Sequence, residues 1–293
     1  MKEFVLYTGC TTPVRVPAYE ASVRAVLEKL DVQLIDMKDA NCCGAQYLES
    51  VNRKAFAAMS GRILALAERY DRDILAICGA CSGSLKAVKV MLDRDRVMRA
   101  EVNDLLAEEG LEYTGVTEVK HLLQVFHEDI GYDAIRNAIV KPYSPDTRLA
   151  AHYGCHVTRP YDIVHVDDPE NPTIIDKIIE IAGATPVQYS GKTRCCGGPM
   201  LAMDPHVAAK IGLDKIRNIR DENADGIVTA CSFCDIQLTQ VQYEEGVDPA
   251  TRIPVLTLPQ FLGPALGIDK NALGIYLNKI SPDKIFAAVS GVS

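Results

Sequence analysis

The 293-residue chain is 48% apolar and 24% charged, a composition typical of globular proteins, and its length allows two domains of ordinary size. Its net charge of −8 and its lack of tryptophan disfavour nucleic-acid binding, which needs a basic surface and stacking side chains. No apolar run approaches the roughly 18 residues of a membrane span, and residues 1–7 lack the long apolar stretch of a signal peptide. We therefore expect a cytoplasmic protein with no membrane span of its own.

Short apolar runs alternate with amphipathic stretches through the first half of the chain, which predicts strands alternating with helices. The first run ends at a Gly-Cys turn, as expected for a strand buried in a parallel sheet. We predict strands at residues 3–9, 32–35 and 74–77, and helices at 18–30 and 52–70. A charged helix over 85–109 and a strand that turns into a helix over 116–122 are predicted to follow.

The same plan begins again after residues 137–148, where Pro142 and Pro145 mark the best domain boundary. The second half is predicted to contain strands at 149–152, 186–189 and 227–229, and helices at 173–182 and 206–223. The tail after Gly267 has no counterpart in the first half. The predicted fold class is α/β, with two pseudo-symmetric domains at 1–143 and 144–293. Each would be a small, mainly parallel sheet flanked by helices.

All ten cysteines belong to one pattern that occurs twice: a lone cysteine, an adjacent pair followed by glycine, and a Cys-x-x-Cys motif. In both copies 34 residues separate the pair from the Cys-x-x-Cys motif. The cysteines follow predicted strands, and in open α/β sheets ligands bind at the carboxyl ends of the strands. We predict one five-cysteine site at that edge of each domain. The first set is Cys10, Cys42, Cys43, Cys78 and Cys81, and the second is Cys155, Cys195, Cys196, Cys231 and Cys234.

Three kinds of chemistry use cysteines in such numbers. Disulfide frameworks are typical of small secreted domains, which this chain does not resemble. Zinc takes four ligands, so five thiols in each half exceed what a zinc site needs. Soft thiolates in sets favour iron–sulfur clusters, but an ordinary cubane cluster is held by four of them. Either one thiol is spare in each copy, or the cluster is not an ordinary cubane.

The chain resembles the B subunit of heterodisulfide reductase, a family with a duplicated CCG domain. The likeness extends over most of the chain and includes segments outside the cysteine pairs. These segments are residues 13–17 (PVRVP), 115–121 (GVTEVKH), 153–156 (YGCH), 167–173 (DDPENPT) and 231–234 (CSFC). The CCG pattern alone is shared with other redox proteins, whereas the DDPENPT and YGCH segments make the match more specific.

That resemblance implies two noncubane [4Fe–4S] clusters, each held by five cysteines, with the coenzyme M–coenzyme B heterodisulfide reduced between them. It also implies two companion polypeptides of heterodisulfide reductase: the C subunit, with cubane [4Fe–4S] clusters, and the flavin-containing A subunit, which bifurcates electrons. A hydrogenase or a formate dehydrogenase would belong to the larger complex. The chain lacks the cysteine run of ferredoxins, so we expect its electrons to arrive from another polypeptide.

Basic residues beside the motifs are candidates for binding the anionic disulfide substrate, although most lysines and arginines are solvated surface charges. These candidates are Arg15, Lys86, Arg159, Lys192 and Arg194. Two histidines, His152 and His156, flank Cys155 and are candidate proton donors, with a structural role as the alternative.

Other functions stay open at this point. CCG-type subunits transfer electrons in oxidoreductases of the glycerol-3-phosphate, lactate and fumarate types, and complexes like heterodisulfide reductase act on other disulfides. A non-enzymatic zinc scaffold is a third interpretation. Because the sequence contains no other redox motif, we predict that the chain carries the terminal site of a larger complex.

Overall fold

Each half of the chain begins with an apolar strand that takes a central place in a parallel sheet. The computed structural model describes residues 2–289. In the first half, β1 (Lys2–Tyr7) lies between β2 (Val32–Asp36) and β3 (Ile74–Ala76), and β4 (Val119–His121) follows at the edge. In the second half, β5 (Arg148–His152) lies between β6 (Thr185–Val187) and β7 (Gly226–Thr229), with β8 (Val255–Thr257) at the edge. All six pairings are parallel, so the predicted α/β class with two parallel sheets is confirmed.

Helices flank the first sheet on both faces. They are α1 (Thr12–Arg15), α2 (Pro17–Lys29), α3 (Ala45–Val51), α4 (Arg53–Glu68), α5 (Gly79–Arg94), α6 (Arg96–Leu106), α7 (Leu122–Gln124) and α8 (Tyr132–Ala138), with a 3₁₀ turn at Ala107–Glu109 and a π-helix at Val125–Ile130. The single helix predicted over 85–109 is wrong, because the backbone of Asp95 is extended. Its carboxylate accepts from the N–H groups of Val97 and Met98 and thereby caps α6.

The second sheet is flanked in the same way. Its helices are α9 (Cys155–Thr158), α10 (Tyr161–Val164), α11 (Ile174–Ile181), α12 (Pro205–Asp221), α13 (Ser232–Gln240), α14 (Leu258–Ala265) and α15 (Asp283–Ala287), with 3₁₀ turns at Gly198–Met200, Val241–Tyr243, Pro249–Thr251 and Ile275–Leu277. No helix within residues 2–289 combines the length and the apolar character that a bilayer span requires.

The hydrophobic core does not stop at the boundary between the halves. One buried cluster joins Tyr19 of α2 to Phe261 of α14, and another joins Phe56 of α4 to Ile219 of α12. Helix α2 packs on α14, and α5 packs on α9 and α10. The division at 143/144 stays a prediction, and its outer ends, Met1 and residues 290–293, lie outside the described residues.

The strand order brings the cysteines together. In the first sheet, β2 lies on one side of β1 and β3 lies on the other, so the strand order reverses between the central strands β1 and β3. In the second sheet the same reversal occurs between β5 and β7. The lone cysteine of each half follows the first of these strands, and the Cys-x-x-Cys motif follows the second. Such a switch point leaves a crevice at the carboxyl ends of the strands, where ligands bind in open α/β sheets.

Candidate metal centres

The first set of cysteines surrounds a cavity of about 130 Å³. Within it, Cys10 Sγ lies 3.4 Å from Cys42 Sγ, and Cys43 Sγ lies 3.7 Å from Cys81 Sγ. Cys43, Cys78 and Cys81 are buried, Cys42 is half-buried and Cys10 is exposed. The first site is therefore closed at the sheet and open to solvent beside Cys10.

Local sequence explains why these thiols converge. Cys78 lies two residues after β3, has extended backbone and is the N-cap residue of α5, so Cys81 comes within the first turn of that helix. Gly44 has a φ of 80°, and its N–H donates to Cys42 Sγ at 3.3 Å. At Gly9, whose φ is 69°, a Cβ would lie only 2.8 Å from Cys81 Sγ. Glycine is needed there for the left-handed backbone and for the close approach of two cysteine loops.

The second set repeats this arrangement. Cys196, Cys231 and Cys234 are buried, and Cys155 and Cys195 are half-buried. The N–H groups of Gly197 and Gly198 donate to Cys195 Sγ and Cys196 Sγ at 3.3 and 3.4 Å. A ring nitrogen of His152 and the sulfurs of Cys196 and Cys234 lie within 4.8 Å of one another.

The two sets adjoin. Cys78 Sγ lies 3.9 Å from Cys231 Sγ, so the first cysteines of the two Cys-x-x-Cys motifs are neighbours. Beside them, Thr12 Oγ1 of the first half and Ser232 Oγ of the second share a buried hydrogen bond of 2.7 Å. Phe233, inside the second Cys-x-x-Cys motif, lines the cavity of the first set. The wall of the first site is thus completed by a residue of the other half.

The thiols influence one another's charge. The pKa of Cys43 is lowered, chiefly by its interaction with the adjacent Cys42 thiol, and the pKa of Cys42 is raised by the same interaction. In the second set the pKa of Cys195 is lowered, chiefly by its interaction with Cys155, whose own pKa is raised. Each set therefore deprotonates fully only when a cation compensates the charge.

These donors fit an iron–sulfur cluster. All ten cysteines are free thiols, none lies in a disulfide, and the contacts are between soft sulfur atoms in a largely buried pocket. His152 adds a nitrogen near the second set, but both of its ring nitrogens are buried without a hydrogen-bond partner among the described residues. The crowding of sulfur in both halves suits a cluster of several irons better than a single four-ligand ion.

The two candidate proton donors occupy different elements. His152 ends β5, and burial lowers its pKa well below the ordinary value. His156 lies in α9, half-buried, with Nδ1 3.2 Å from Cys155 Sγ, and burial lowers its pKa as well. Gly154, with a φ of 80°, separates the strand from the helix. The i, i+4 spacing of the two histidines in the sequence therefore does not put them on one helix face.

The five basic candidates divide into two kinds. Arg15 and Arg194 are exposed, and Arg159 is half-buried, with its guanidinium donating to the carbonyl of Thr193. Lys86 and Lys192 are buried. Their ammonium groups are bound inside the fold, Lys86 by Gln124 Oε1 and the carbonyl of Val164, and Lys192 by Asp176. Of these five candidates, the three arginines present a cation to solvent. Their part in substrate binding stays a prediction.

Sequence reasoning missed a third buried lysine, Lys215 of α12. It is 4% exposed, and Nζ donates to the carbonyl of Gly191 in the loop that leads to the second cysteine pair. A signal was present in the sequence. Lys215 stands at a position of α12 where the helical period requires an apolar side chain, beside Ile216 and Ile219.

Comparison with known proteins agrees with the geometry. The family model "Cysteine-rich domain" (CCG) matches residues 4–86 and 149–239. The B subunit of the ferredoxin/F420H2-dependent CoB–CoM heterodisulfide reductase of Methanosarcina acetivorans is 34% identical over 100% of this chain and 99% of its own length. The B subunit of the ferredoxin-dependent enzyme of Methanosarcina mazei is 31% identical with the same coverage.

The chain is also similar to one relative named for a different function and to one solved structure. The membrane anchor subunit of the 8-methylmenaquinol:fumarate reductase of Wolinella succinogenes is 30% identical over 97% of this chain and 99% of its own length. A hypothetical protein from Helicobacter pylori, solved as a crystal structure, superposes with a TM-score of 0.74 at 16% identity, covering 96% of this chain and 52% of that one, which shows a shared fold. The two CCG matches and the full-length identity to the Methanosarcina proteins lead to one conclusion: the chain belongs to the CCG cysteine-rich family that includes the B subunit of heterodisulfide reductase.

Proposed function

We propose that this chain is the catalytic subunit that reduces the coenzyme M–coenzyme B heterodisulfide to its two thiols. The reaction consumes two electrons and two protons: CoM-S-S-CoB + 2 e⁻ + 2 H⁺ gives CoM-SH and CoB-SH. The proposal is supported by relatives named as the B subunits of such reductases, 31% and 34% identical over the whole chain. It is carried by one structural observation, the contact between the two cysteine sets.

That contact matters because a disulfide has two sulfurs and needs two electrons. The sets meet at Cys78 and Cys231, whose sulfurs are 3.9 Å apart. One substrate at this junction would therefore be close to both sites at once. Duplication of the CCG domain, and the packing of each half against the other, would serve to bring two one-electron sites to the same bond.

The cofactors proposed here are two noncubane [4Fe–4S] clusters. The first would be held by Cys10, Cys42, Cys43, Cys78 and Cys81, and the second by Cys155, Cys195, Cys196, Cys231 and Cys234. When bound, such clusters supply one-electron transfer. Five thiols in each set, one more than a cubane requires, support the noncubane type.

The chain's own residues would bind and orient the substrate. The first site opens to solvent beside Cys10, and Arg15 and Arg194 are exposed cations that could hold an anionic substrate. Arg159 is less exposed than these two and is fixed by the Thr193 carbonyl. His156, 3.2 Å from Cys155 Sγ, is the better placed of the two histidines to give a proton to a departing sulfur, because His152 is fully enclosed.

We propose further that the chain works in the cytoplasm within a flavin-based, electron-bifurcating complex. A C subunit with cubane clusters would deliver the electrons, a flavin-containing A subunit would divide them, and a hydrogenase or formate dehydrogenase would supply them. The companion subunits are proposed from the similarity to the B subunits of heterodisulfide reductases. Supply of electrons by another polypeptide is proposed because the sequence carries two sets of thiols and no other redox motif.

The second candidate function is electron transfer within a different oxidoreductase, or action on another disulfide. It is favoured by the 30% identity to the fumarate reductase membrane anchor over almost the whole chain. In the electron-transfer case the cysteine sets would pass electrons onward, and no disulfide would be cleaved at their junction.

The two candidates are separated by purifying the native complex anaerobically through a tag on this chain. With reduced viologen as donor, we expect two viologens oxidised and two thiols released for each heterodisulfide. We also expect the electron paramagnetic resonance (EPR) signals of the oxidised complex to change when one thiol product is added. A complex that contains iron–sulfur clusters but shows neither effect, and that copurifies with a fumarate-reducing flavoprotein, would contradict the first candidate.

A further inference from the structure

Lys215 is a lysine in the apolar stripe of α12. The buried positions of this helix are Ala208, Gly212, Lys215, Ile216 and Ile219, which follow the helical period. A long cationic side chain at such a position loses hydration and needs compensation from its surroundings. The partners of its ammonium group therefore indicate why it is there.

Its partners belong to the wall of the second cysteine site. Nζ donates to the carbonyl of Gly191 at 2.6 Å and lies 5.5 Å from the ring centroid of Tyr189. Both residues precede the cysteine pair in the same loop. Tyr189 is itself fixed, since its hydroxyl donates to the carbonyl of Ala151 at 3.1 Å. The ammonium thus contacts a part of the loop that is hydrogen-bonded to β5.

No carboxylate neutralises this charge within residues 2–289, where Lys215 forms no ion pair. The neighbouring Lys192 differs, because Asp176 Oδ1 lies 2.7 Å from its Nζ and the pair is buried together. The second site therefore carries one buried positive charge in excess. Burial lowers the pKa of Lys215 to about 8, which still leaves its ammonium group mainly protonated at neutral pH.

The first site has no such residue on the matching helix. The buried side chains of α4, which follows the first cysteine pair as α12 follows the second, are all uncharged. The buried lysine of the first half, Lys86, is bound by Gln124 and Val164, and its charge interacts with Glu128 and Glu118. The two cysteine sites thus have similar ligands but different electrostatic surroundings.

We propose that Lys215 is a positioning residue that makes the second cysteine site easier to reduce than the first. This inference deepens the proposed function and rests on it, since it requires a cluster in each set. A reduced cluster gains one negative charge, and a fixed cation in a poorly hydrated wall stabilises that charge. The reduced state of the second site is favoured, and an electron shared by the two sites resides mainly there.

The test is a redox titration of the anaerobically purified complex followed by EPR. The signal of the second site is the one that Cys155→Ser alters and Cys10→Ser leaves in place. Lys215→Met should lower the equilibrium constant for one-electron reduction of the second site at least tenfold, which is about 59 mV for a one-electron couple. The first site should change much less.

Three further variants separate charge from packing. Lys215→Arg retains the cation and should keep the potential near that of the unchanged protein. Lys215→Gln keeps a hydrogen-bond donor for the Gly191 carbonyl but removes the charge, so it should shift the reduction potential as Lys215→Met does. If Lys215→Met loses iron, Lys215→Gln replaces it in the comparison with the unchanged protein. Lys210→Met, an exposed site on the same helix, is the matched control and should have no effect.

Iron content of the same samples distinguishes the possible failures. Full iron with an unchanged second potential in Lys215→Met and Lys215→Gln overturns the inference while leaving the proposed function intact. An equal shift in Lys215→Arg also overturns it, because packing alone would then be responsible. Absence of iron from the second set in the unchanged protein would overturn both.

Discussion

Gly9 controls how closely the loop of Cys10 approaches Cys81. Its φ is 69°, and a Cβ built on it would lie 2.8 Å from Cys81 Sγ. Non-bonded heavy atoms are at their best separation near 3.5–4.0 Å, so Gly9→Ala forces the loop and the sulfur apart by about 0.7 Å or more. The left-handed backbone of an alanine adds roughly 1–2 kcal/mol. We expect the displacement to separate the thiols of the first set and to leave the second set unaffected.

Gly110→Ala is the matched control. Its φ is 63°, but apart from its two chain neighbours no described residue lies within 4 Å of the position that a Cβ would take, so the substitution has only the cost of the left-handed backbone. Iron and acid-labile sulfide per chain are measured after anaerobic purification, together with the melting temperature. Gly9→Ala should lose about half of its iron, whereas Gly110→Ala should keep all of it and lose a few degrees of Tm. Full iron in Gly9→Ala would refute the argument that close approach at Gly9 builds the first site.

Three other predictions concern the fold around the sites. Asp176→Asn leaves the buried Lys192 without its ion-pair partner and should lower the free energy of unfolding, measured by calorimetry, by about 3–5 kcal/mol. Asp214→Asn removes an exposed ion pair and should lower it by at most about 1 kcal/mol. Burial lowers the pKa of His121 to about 3, so below pH 6.5 the unfolded chain binds a proton that the folded chain does not. The stability of the protein relative to His121→Asn should then fall by about 1 kcal/mol between pH 7 and pH 5.5, and by about 1.4 kcal/mol per pH unit at lower pH. An unchanged stability difference between the two proteins at pH 7 and pH 5.5 in thermal unfolding would contradict this. Thr12→Val leaves the buried Ser232 hydroxyl unpartnered and should cost about 1–3 kcal/mol, part of which the double variant with Ser232→Ala should recover in thermal unfolding.

The sheets could be predicted from the sequence because buried parallel strands are short apolar runs with sharp ends. The runs before Cys10 and Cys78 form β1 and β3, and the same pattern before Cys155 and Cys231 forms β5 and β7. The helix predicted over 85–109 is wrong because a charged amphipathic pattern continues through Asp95, which is a helix cap and not a helix interior residue. The spacing of polar and apolar residues does not show whether a carboxylate such as that of Asp95 faces solvent or accepts hydrogen bonds from the backbone at a helix end.

The sequence predicts which cysteines form each site, but it does not predict that the two sites are in contact. The repeated spacing identifies ten thiols, but the contact of Cys78 with Cys231 depends on how α5 packs on α9 and on other contacts between distant segments. Lys192 is predicted as a substrate residue because it stands beside a motif. Its partner, Asp176, is 16 residues away and is brought near only by the packing of α11 against the second sheet.

The most direct test of the two proposed clusters is an iron anomalous-difference map from crystals grown anaerobically. We predict two clusters of four irons, each bonded to the five sulfurs of one set, with Cys78 in one cluster and Cys231 in the other. A single metal ion in each half, or a cubane held by four cysteines with one thiol left free, would contradict the two noncubane clusters on which the proposed reaction depends.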